Sequence, residues 1–213
     1  MTTSLYSENA PALSADPSSS FWAAAPRIRT QSDQYGKQAP GYELEVRSRW
    51  TKQDLYLLFI CHHRTPLYLK PSPSQTTETN ELWNWDVAEA FIGDDFKQIE
   101  RYKEFEVSPQ GEWVDLAINR LPHSPELGRR WNSGFQVKAK PAADGEVWYG
   151  EMRIPFSAIS KAEPHDGLEF RANFYQVQGK PPDRTQIAWQ PTYSNTFHVP
   201  KAFGRIRLVT QLR

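Results

Sequence analysis

Two tryptophans and a glutamate lie close together in the segment ELWNWDVAEAFIGDD, residues 81–95. Trp83 and Trp85 share their parity with Glu89, so on a strand with a period of two all three side chains would lie on one face. A flat ring can pack on the C–H face of a sugar, and a carboxylate can bind its hydroxyl groups. The tryptophans therefore either fill a core or form a surface on which a ligand lies.

Two further segments carry polar side chains at alternate positions. In RYKEFEVS, Glu104 and Glu106 share one face of the predicted strand. In LEFRANFYQ, the polar face carries Arg171, Asn173 and Tyr175. Glutamate, asparagine and arginine supply hydrogen-bond donors and acceptors in fixed geometry, which the hydroxyl rim of a sugar requires. The pattern fits either an ordinary solvated surface or a polar platform for a carbohydrate.

Other site chemistries have weaker support. Glu89, Glu104 and Glu106 could supply the two carboxylates of a glycoside hydrolase, but any three strand carboxylates would meet that requirement. Asp94–Asp95 could contribute to a calcium site, although adjacent acids usually form a solvated turn. The Cys61–His63 run has no further ligand at the spacing of a zinc site. We therefore expect no enzymatic activity and no cofactor, with calcium as the one alternative.

The elements that would position these residues are strands. Aromatic residues make up 13% of the 213 residues, with 8 Trp and only 2 Met, which favours an all-β fold. Alternation and turn sequences predict strands at residues 42–50, 55–61, 86–93, 101–108, 112–119, 134–140, 146–154, 168–177 and 203–209. We predict a single antiparallel β-sandwich with an immunoglobulin-like or jelly-roll arrangement of strands.

The sequence offers little helix. IPFSAI predicts one helical turn near Phe156–Ser160, and a second turn is predicted around Ser124–Arg130. Residues 1–15, in a segment rich in Ser, Ala and Pro, are expected to form a loose arm before a domain at 16–213. The predicted core residues include Trp22, Phe105, Phe170, Phe174 and Trp189.

Charge and composition argue against several partners. Lys plus Arg and Asp plus Glu both number 25, which does not favour a nucleic-acid partner. No apolar run approaches the roughly 20 residues that span a membrane. The N-terminus lacks the basic and apolar regions of a secretory signal, and the compartment is left open. We expect a monomer.

Six segments occur in an order and spacing that resemble a known family. They are ADPSSSFWAAA, VRSRWTKQDLYLLFI, WNWDVAEAFIGDD, FEVSPQGEWVDL, EMRIPFSAI and AWQPTYSNTFHVPKAFGRIRL. The chain resembles carbohydrate-binding module family nine, the sugar-binding domains attached to some xylanases, and related DOMON-type sandwiches. The resemblance covers residues 16–208 and implies a non-catalytic module that recognises a sugar or a glycan end.

The resemblance also implies a site. In the sugar-binding members two aromatic residues clamp a terminal sugar, and their positions fall on Trp83 and Phe197. The strand glutamate falls on Glu89, and an amide of the closing loop falls near Ser194 and Asn195. The resemblance therefore makes Trp83 the platform of the predicted site.

Two positions depart from the family pattern. Phe197 is a smaller aromatic than the tryptophan of the described binders, and Glu106 stands where they have a basic residue. We expect Trp85 to pack beside Trp83. Strand alternation and the resemblance together predict a carbohydrate site that comprises Trp83, Glu89, Glu106, Arg171, Asn173, Tyr175, Asn195 and Phe197.

Two other classes of function stay open. A haem-binding DOMON-type domain in electron transfer would need axial ligands that converge on a pocket, for which Met152 and His198 are the candidates. A structural or protein-interaction domain without a ligand would keep the fold but lack the binding geometry.

Overall fold

The computed structural model describes residues 1–64, 66–121 and 128–212. The strands are β1 (Thr2–Tyr6), β2 (Arg27–Thr30), β3 (Leu44–Trp50), β4 (Asp54–His62), β5 (Val87–Gly93), β6 (Arg101–Val107), β7 (Trp113–Asn119), β8 (Gly128–Arg130), β9 (Gln136–Pro141), β10 (Val147–Pro155), β11 (Glu169–Gln178), β12 (Thr185–Ala188) and β13 (Gly204–Val209). The helices are α1 (Ser20–Ala23) and α2 (Phe156–Ile159), with 3₁₀ turns at Leu82–Asn84 and Pro200–Ala202. The predicted all-β fold is confirmed.

The strands form a folded-over sheet. Its hydrogen-bonded order is β8-β7-β6-β5-β11-β13-β1-β3-β4-β10-β9, with β12 beside β11 and β2 beside β3. One layer contains β5, β6 and β11, and it packs against the layer of β3, β4 and β10. Phe59 of β4 meets Phe174 of β11 across the interface, with 6.0 Å between the ring centroids. The result is the predicted β-sandwich.

The N-terminal residues are not a loose arm. Strand β1 lies between β13 and β3 and pairs parallel with both, whereas the other described strand pairs are antiparallel. Ser4 is fully buried, and the hydroxyl of Ser48 donates to its hydroxyl at 2.8 Å. Tyr6 packs on Trp50, with 4.7 Å between the rings. The arm prediction is wrong because the edges of β13 and β3 need a strand to satisfy their backbone groups.

The helix predictions had mixed outcomes. Helix α2 confirms the turn predicted at Phe156–Ser160. Of the turn predicted at Ser124–Arg130, residues 124–127 lie outside the described residues, and residues 128–130 form β8, so that part is wrong. Among the described residues, the helices are too short to span a membrane.

The core between the layers is apolar. Phe105, Phe170 and Phe174 are buried in it as predicted. Trp22 is also fully buried, but it belongs to a separate cluster with Tyr56 on the other side of β4. Trp189 is partly buried at the edge of the main core, where it stacks on Phe174 with 5.4 Å between the rings.

Candidate functional site

The strands β6, β5 and β11 have an outer face that points away from the other layer. In one row of this face, the register places Tyr175 beside Glu89 and Glu89 beside Glu106. The next row consists of Asn173, Phe91 and Glu104. The opposite, inner face carries core residues such as Ala90. The predicted division of these strands into a polar and an apolar face is therefore confirmed.

A groove of about 680 Å³, the outer groove, lies over this face. Its walls come from the 3₁₀ turn before β5, from β7 and β8, and from the closing loop at residues 195–198. Of the predicted site residues, four line the groove: Trp83, Glu89, Asn195 and Phe197. The volume falls within the roughly 300–1,000 Å³ typical of small-molecule sites.

Trp83 lies at the rim of the outer groove. It is 36% exposed, and the neighbouring Leu82 anchors the turn in an apolar cluster on the outer face that contains Val87 and Phe91 of β5. The strand alternation does not extend back to Trp83, because the 3₁₀ turn interrupts it. Trp85 stacks on Tyr68, with 4.6 Å between the rings, and is absent from the groove lining. The prediction that Trp85 packs beside Trp83 is thus corrected.

Phe197 forms a wall of the groove but not an open platform. Its side chain is only 8% exposed and stacks nearly flat on Tyr175, with 3.9 Å between the centroids and 11° between the planes. The Tyr175 hydroxyl donates to the backbone oxygen of Phe197 at 3.1 Å. One face of the ring is therefore covered, and a clamp between two exposed aromatic residues is not formed.

Arg171, Asn173 and Tyr175 are buried beneath the groove. The Arg171 guanidinium donates to backbone oxygens of the loop between β5 and β6, including that of Asp95 at 2.8 Å, and to that of the first residue of β6. The Asn173 amide donates to the backbone oxygen of Gln190 at 2.8 Å and to the Tyr175 hydroxyl at 2.7 Å. Their prediction as ligand contacts is corrected, since these side chains hold the surrounding loops and do not line the groove.

Several lining residues were missed as site residues. They include Asn80, Asn84, Glu104, Arg184, Gln186 and His198. Arg184 donates to the backbone oxygen of Trp85. His198 stacks on Phe91, and its Nδ1 lies 2.6 Å from the Tyr102 hydroxyl. Glu104 shares the parity of Glu106, which could have identified it, whereas Arg184 lies in a loop without any periodic signal.

The carboxyl groups of the outer face have raised pKa values. Burial raises the pKa of Glu104 to about 7. The pKa of Glu89 is raised well above its usual range by burial and then by the charge of Glu104. The pKa of Glu106 is also raised well above its usual range, by burial and then by the charge of Glu89. Burial lowers the pKa of His198 to about 4, so this imidazole is neutral at pH 7.

The haem alternative loses its ligand pair. Met152 is fully buried in the core between the layers, whereas His198 lies on the outer face.

Asp95, one of the two acids considered for calcium, accepts the backbone N–H groups of Lys97 at 2.7 Å and Gln98 at 3.0 Å. Within the described part of the chain, no group of three His, Cys, Asp or Glu residues could hold a metal ion.

A β-sandwich with a polar and aromatic groove on one sheet face is the architecture of a binding domain. Residues 17–211 match the family described as carbohydrate family 9 binding domain-like, and the chain belongs to that family. It is therefore a non-catalytic carbohydrate-binding module. The match confirms the resemblance found in the sequence.

Solved structures share this fold. A Bacteroides uniformis protein whose name proposes carbohydrate binding has a TM-score of 0.70 and 17% identity, over 98% of this chain and 100% of its own. A family 9 module of Caldicellulosiruptor kristjanssonii, in complex with glucose, has a TM-score of 0.62 and 16% identity, over 99% and 96%. The family 9 module of that organism has also been solved with cellotriose. An extracellular protein of Arthroderma benhamiae is 26% identical, over 81% of each chain.

Proposed function

We propose that the outer groove binds the terminal sugar of a glycan, that Trp83 supplies the flat face, and that the chain does so as a monomer. The observation that carries the proposal is one exposed tryptophan at the rim of a polar groove in a member of this family. Apolar patches beside convergent polar groups are typical of ligand sites.

The groove supplies both kinds of contact that a sugar ring needs. Trp83 offers an aromatic surface at the rim, while Glu89 lies on the floor and Asn195 on the closing loop. A carboxyl group and an amide can bind adjacent hydroxyl groups of one ring. The complexes of the Caldicellulosiruptor kristjanssonii module with glucose and cellotriose favour a glucose-configured chain end as the first ligand to test.

Isothermal titration calorimetry with glucose and cellotriose tests this proposal. We expect one sugar per chain and a loss of affinity of tenfold or more in Trp83→Ala, about 1.4 kcal/mol, because a packed aromatic residue often dominates binding energy. Tyr35→Ala is the matched control, since Tyr35 is 45% exposed and lies outside the groove lining.

Two outcomes would contradict the site. Equal weakening in Trp83→Ala and Tyr35→Ala would mean that the effect is not local to the groove. Unchanged affinity in Trp83→Ala would place the ligand elsewhere on the domain.

A further inference from the structure

Two carboxyl groups, those of Glu89 and Glu104, line the floor of the outer groove, and a third, that of Glu106, is buried beside them. Glu89 of β5 lies opposite Glu106 of β6, and Glu104 lies two residues away on the same face. Their exposed fractions are 2% for Glu89, 3% for Glu104 and 0% for Glu106. Burying ionised carboxylates is costly unless a cation or hydrogen-bond donors compensate them. The floor of this groove therefore needs a source of compensation.

The described side chains supply few hydrogen bonds and ion pairs to these carboxyl groups. Within residues 1–64, 66–121 and 128–212, both carboxyl oxygens of Glu106 and Oε2 of Glu104 have no hydrogen-bond partner, apart from a proton that these two groups can share. Neither Glu89 nor Glu106 forms an ion pair with a described basic side chain. Glu104 and Glu89 line the groove, so a ligand in the groove can reach this cluster.

The surrounding groups do not balance three acids. Arg184 is the cation whose charge acts on both Glu89 and Glu106, but it also donates to the backbone oxygen of Trp85. His198 lies 3.9 Å from Glu104 and is neutral at pH 7. Among the described residues, other titratable or charged groups near the cluster and the rim include Asp86, Tyr102, Arg120, Arg130 and Tyr175. Among the described residues, no arginine forms an ion pair with a carboxyl group of this cluster, so no cation contacts it directly.

We propose, building on the proposed sugar-binding function, that the Glu89–Glu104–Glu106 cluster selects a sugar end that carries a free amino group, such as a 2-amino-2-deoxy sugar. An ammonium group brings one positive charge and three N–H donors to carboxyl oxygens that lack partners. A neutral sugar of the same shape brings hydroxyl donors but no charge. The groove therefore distinguishes the two by electrostatics as well as by shape.

Binding of an amino sugar to this cluster should be accompanied by the release of protons. At pH 7 the cluster holds protons, because its carboxyl groups have raised pKa values. A bound ammonium group favours the ionised carboxylates and displaces those protons into the buffer. Binding of the amino sugar therefore releases protons, whereas binding of its neutral counterpart does not.

Calorimetry with glucosamine, glucose and N-acetylglucosamine tests the inference. The titrations are run at pH 7 in two buffers of different ionisation enthalpy, with EDTA present to exclude metal-bridged binding. We expect glucosamine to bind at least tenfold more tightly than both neutral sugars, with an observed enthalpy that depends on the buffer. In Glu106→Gln and Glu104→Gln the preference should fall to threefold or less, while Glu163→Gln, an exposed control, keeps it.

The other outcomes of this calorimetry would overturn either the amino-sugar inference alone or the proposed function as well. Equal affinities for glucose and glucosamine, without buffer dependence, would overturn the amino-sugar inference and leave the proposed function standing. Binding of none of these sugars or of cellotriose would overturn both. The wild-type comparison needs no variant, so a folding failure of Glu106→Gln does not weaken the test. Trp83→Ala should weaken all bound sugars alike, which separates the platform from the charge selection.

Discussion

The inner and outer faces of the β6–β5–β11 layer come from the same strands but have opposite chemistry. The inner face is formed by side chains such as Ala90, Phe105 and Phe174, which pack against the second layer. The outer face carries Glu89 and Glu106 from the same strands and is buried to a similar extent. Burial alone therefore does not distinguish a core from a site.

What distinguishes the faces is how their polar groups are satisfied. The inner face is mainly apolar, so close packing stabilises it, and one polar side chain of that parity, Gln176, donates to the backbone oxygen of His62 at 2.8 Å. On the outer face Asn173 and Tyr175 are fully hydrogen-bonded to neighbouring loops, whereas Glu106 lacks partners among the described residues. Buried polar groups without partners lower stability, and on the outer face those of Glu104 and Glu106 lie at or beside the groove.

The largest effect is expected on the inner face. Phe174→Ala should lower the free energy of unfolding by about 3–5 kcal/mol, because it leaves a cavity between Phe59 and Trp189. Urea denaturation measures the loss, with Tyr35→Ala as a surface control expected to change stability by about 0.5 kcal/mol or less. A loss below about 1 kcal/mol in Phe174→Ala would mean that the inner face is not closely packed.

Removal of one hydroxyl group should weaken the hydrogen-bonded part of the outer face. Tyr175→Phe keeps the stacked ring but removes one of the two donors to the Phe197 oxygen and leaves one N–H of the buried Asn173 amide without its acceptor. We expect a loss of about 1–3 kcal/mol in urea denaturation. An unchanged free energy of unfolding would show that water replaces the hydroxyl, and that this part of the face is open to solvent.

The carboxyl cluster should make stability depend on pH. The pKa of Glu106 is raised in the folded protein, so the folded state binds more protons than the unfolded state, and stability falls as pH rises above the unfolded pKa. Between pH 6.5 and 8 the slope should be up to about 1.4 kcal/mol per pH unit for each such group. His198, with a pKa lowered to about 4, contributes in the opposite direction below about pH 6.5, outside this window.

Chemical denaturation of wild type and Glu106→Gln across that window measures the slope. The variant should show a flatter pH profile than wild type, and Glu163→Gln should show none of this flattening. Parallel profiles for wild type and Glu106→Gln would mean that Glu106 does not gain protons on folding.

The smallest effect on stability is expected at the rim. Trp83→Ala should lower the free energy of unfolding by less than about 1 kcal/mol, because the side chain lies outside the buried clusters. The melting temperature by differential scanning calorimetry checks this. A loss as large as that of Phe174→Ala would make Trp83 a core residue and would remove the platform.

The strand alternation predicted most of the fold and, of the four predicted site residues that line the outer groove, placed only Glu89. Period-two patterns located nine strands and assigned Glu104, Glu106 and Asn173 to the face opposite Phe174. They missed β1, β2, β8 and β12, which are short or lack clear alternation. The resemblance, and not the pattern, identified Asn195 and Phe197 as neighbours of Trp83.

The sequence by itself determined which side chains share a face, because the pleat fixes that order within each strand. Only the tertiary structure decided which members of the outer face reach the groove. Arg171 became a ligand of backbone oxygens because the β5–β6 loop lies over it, and Phe197 was covered because Tyr175 stacks on it. Such contacts join residues far apart in the chain, and no local pattern specifies which loop covers which strand.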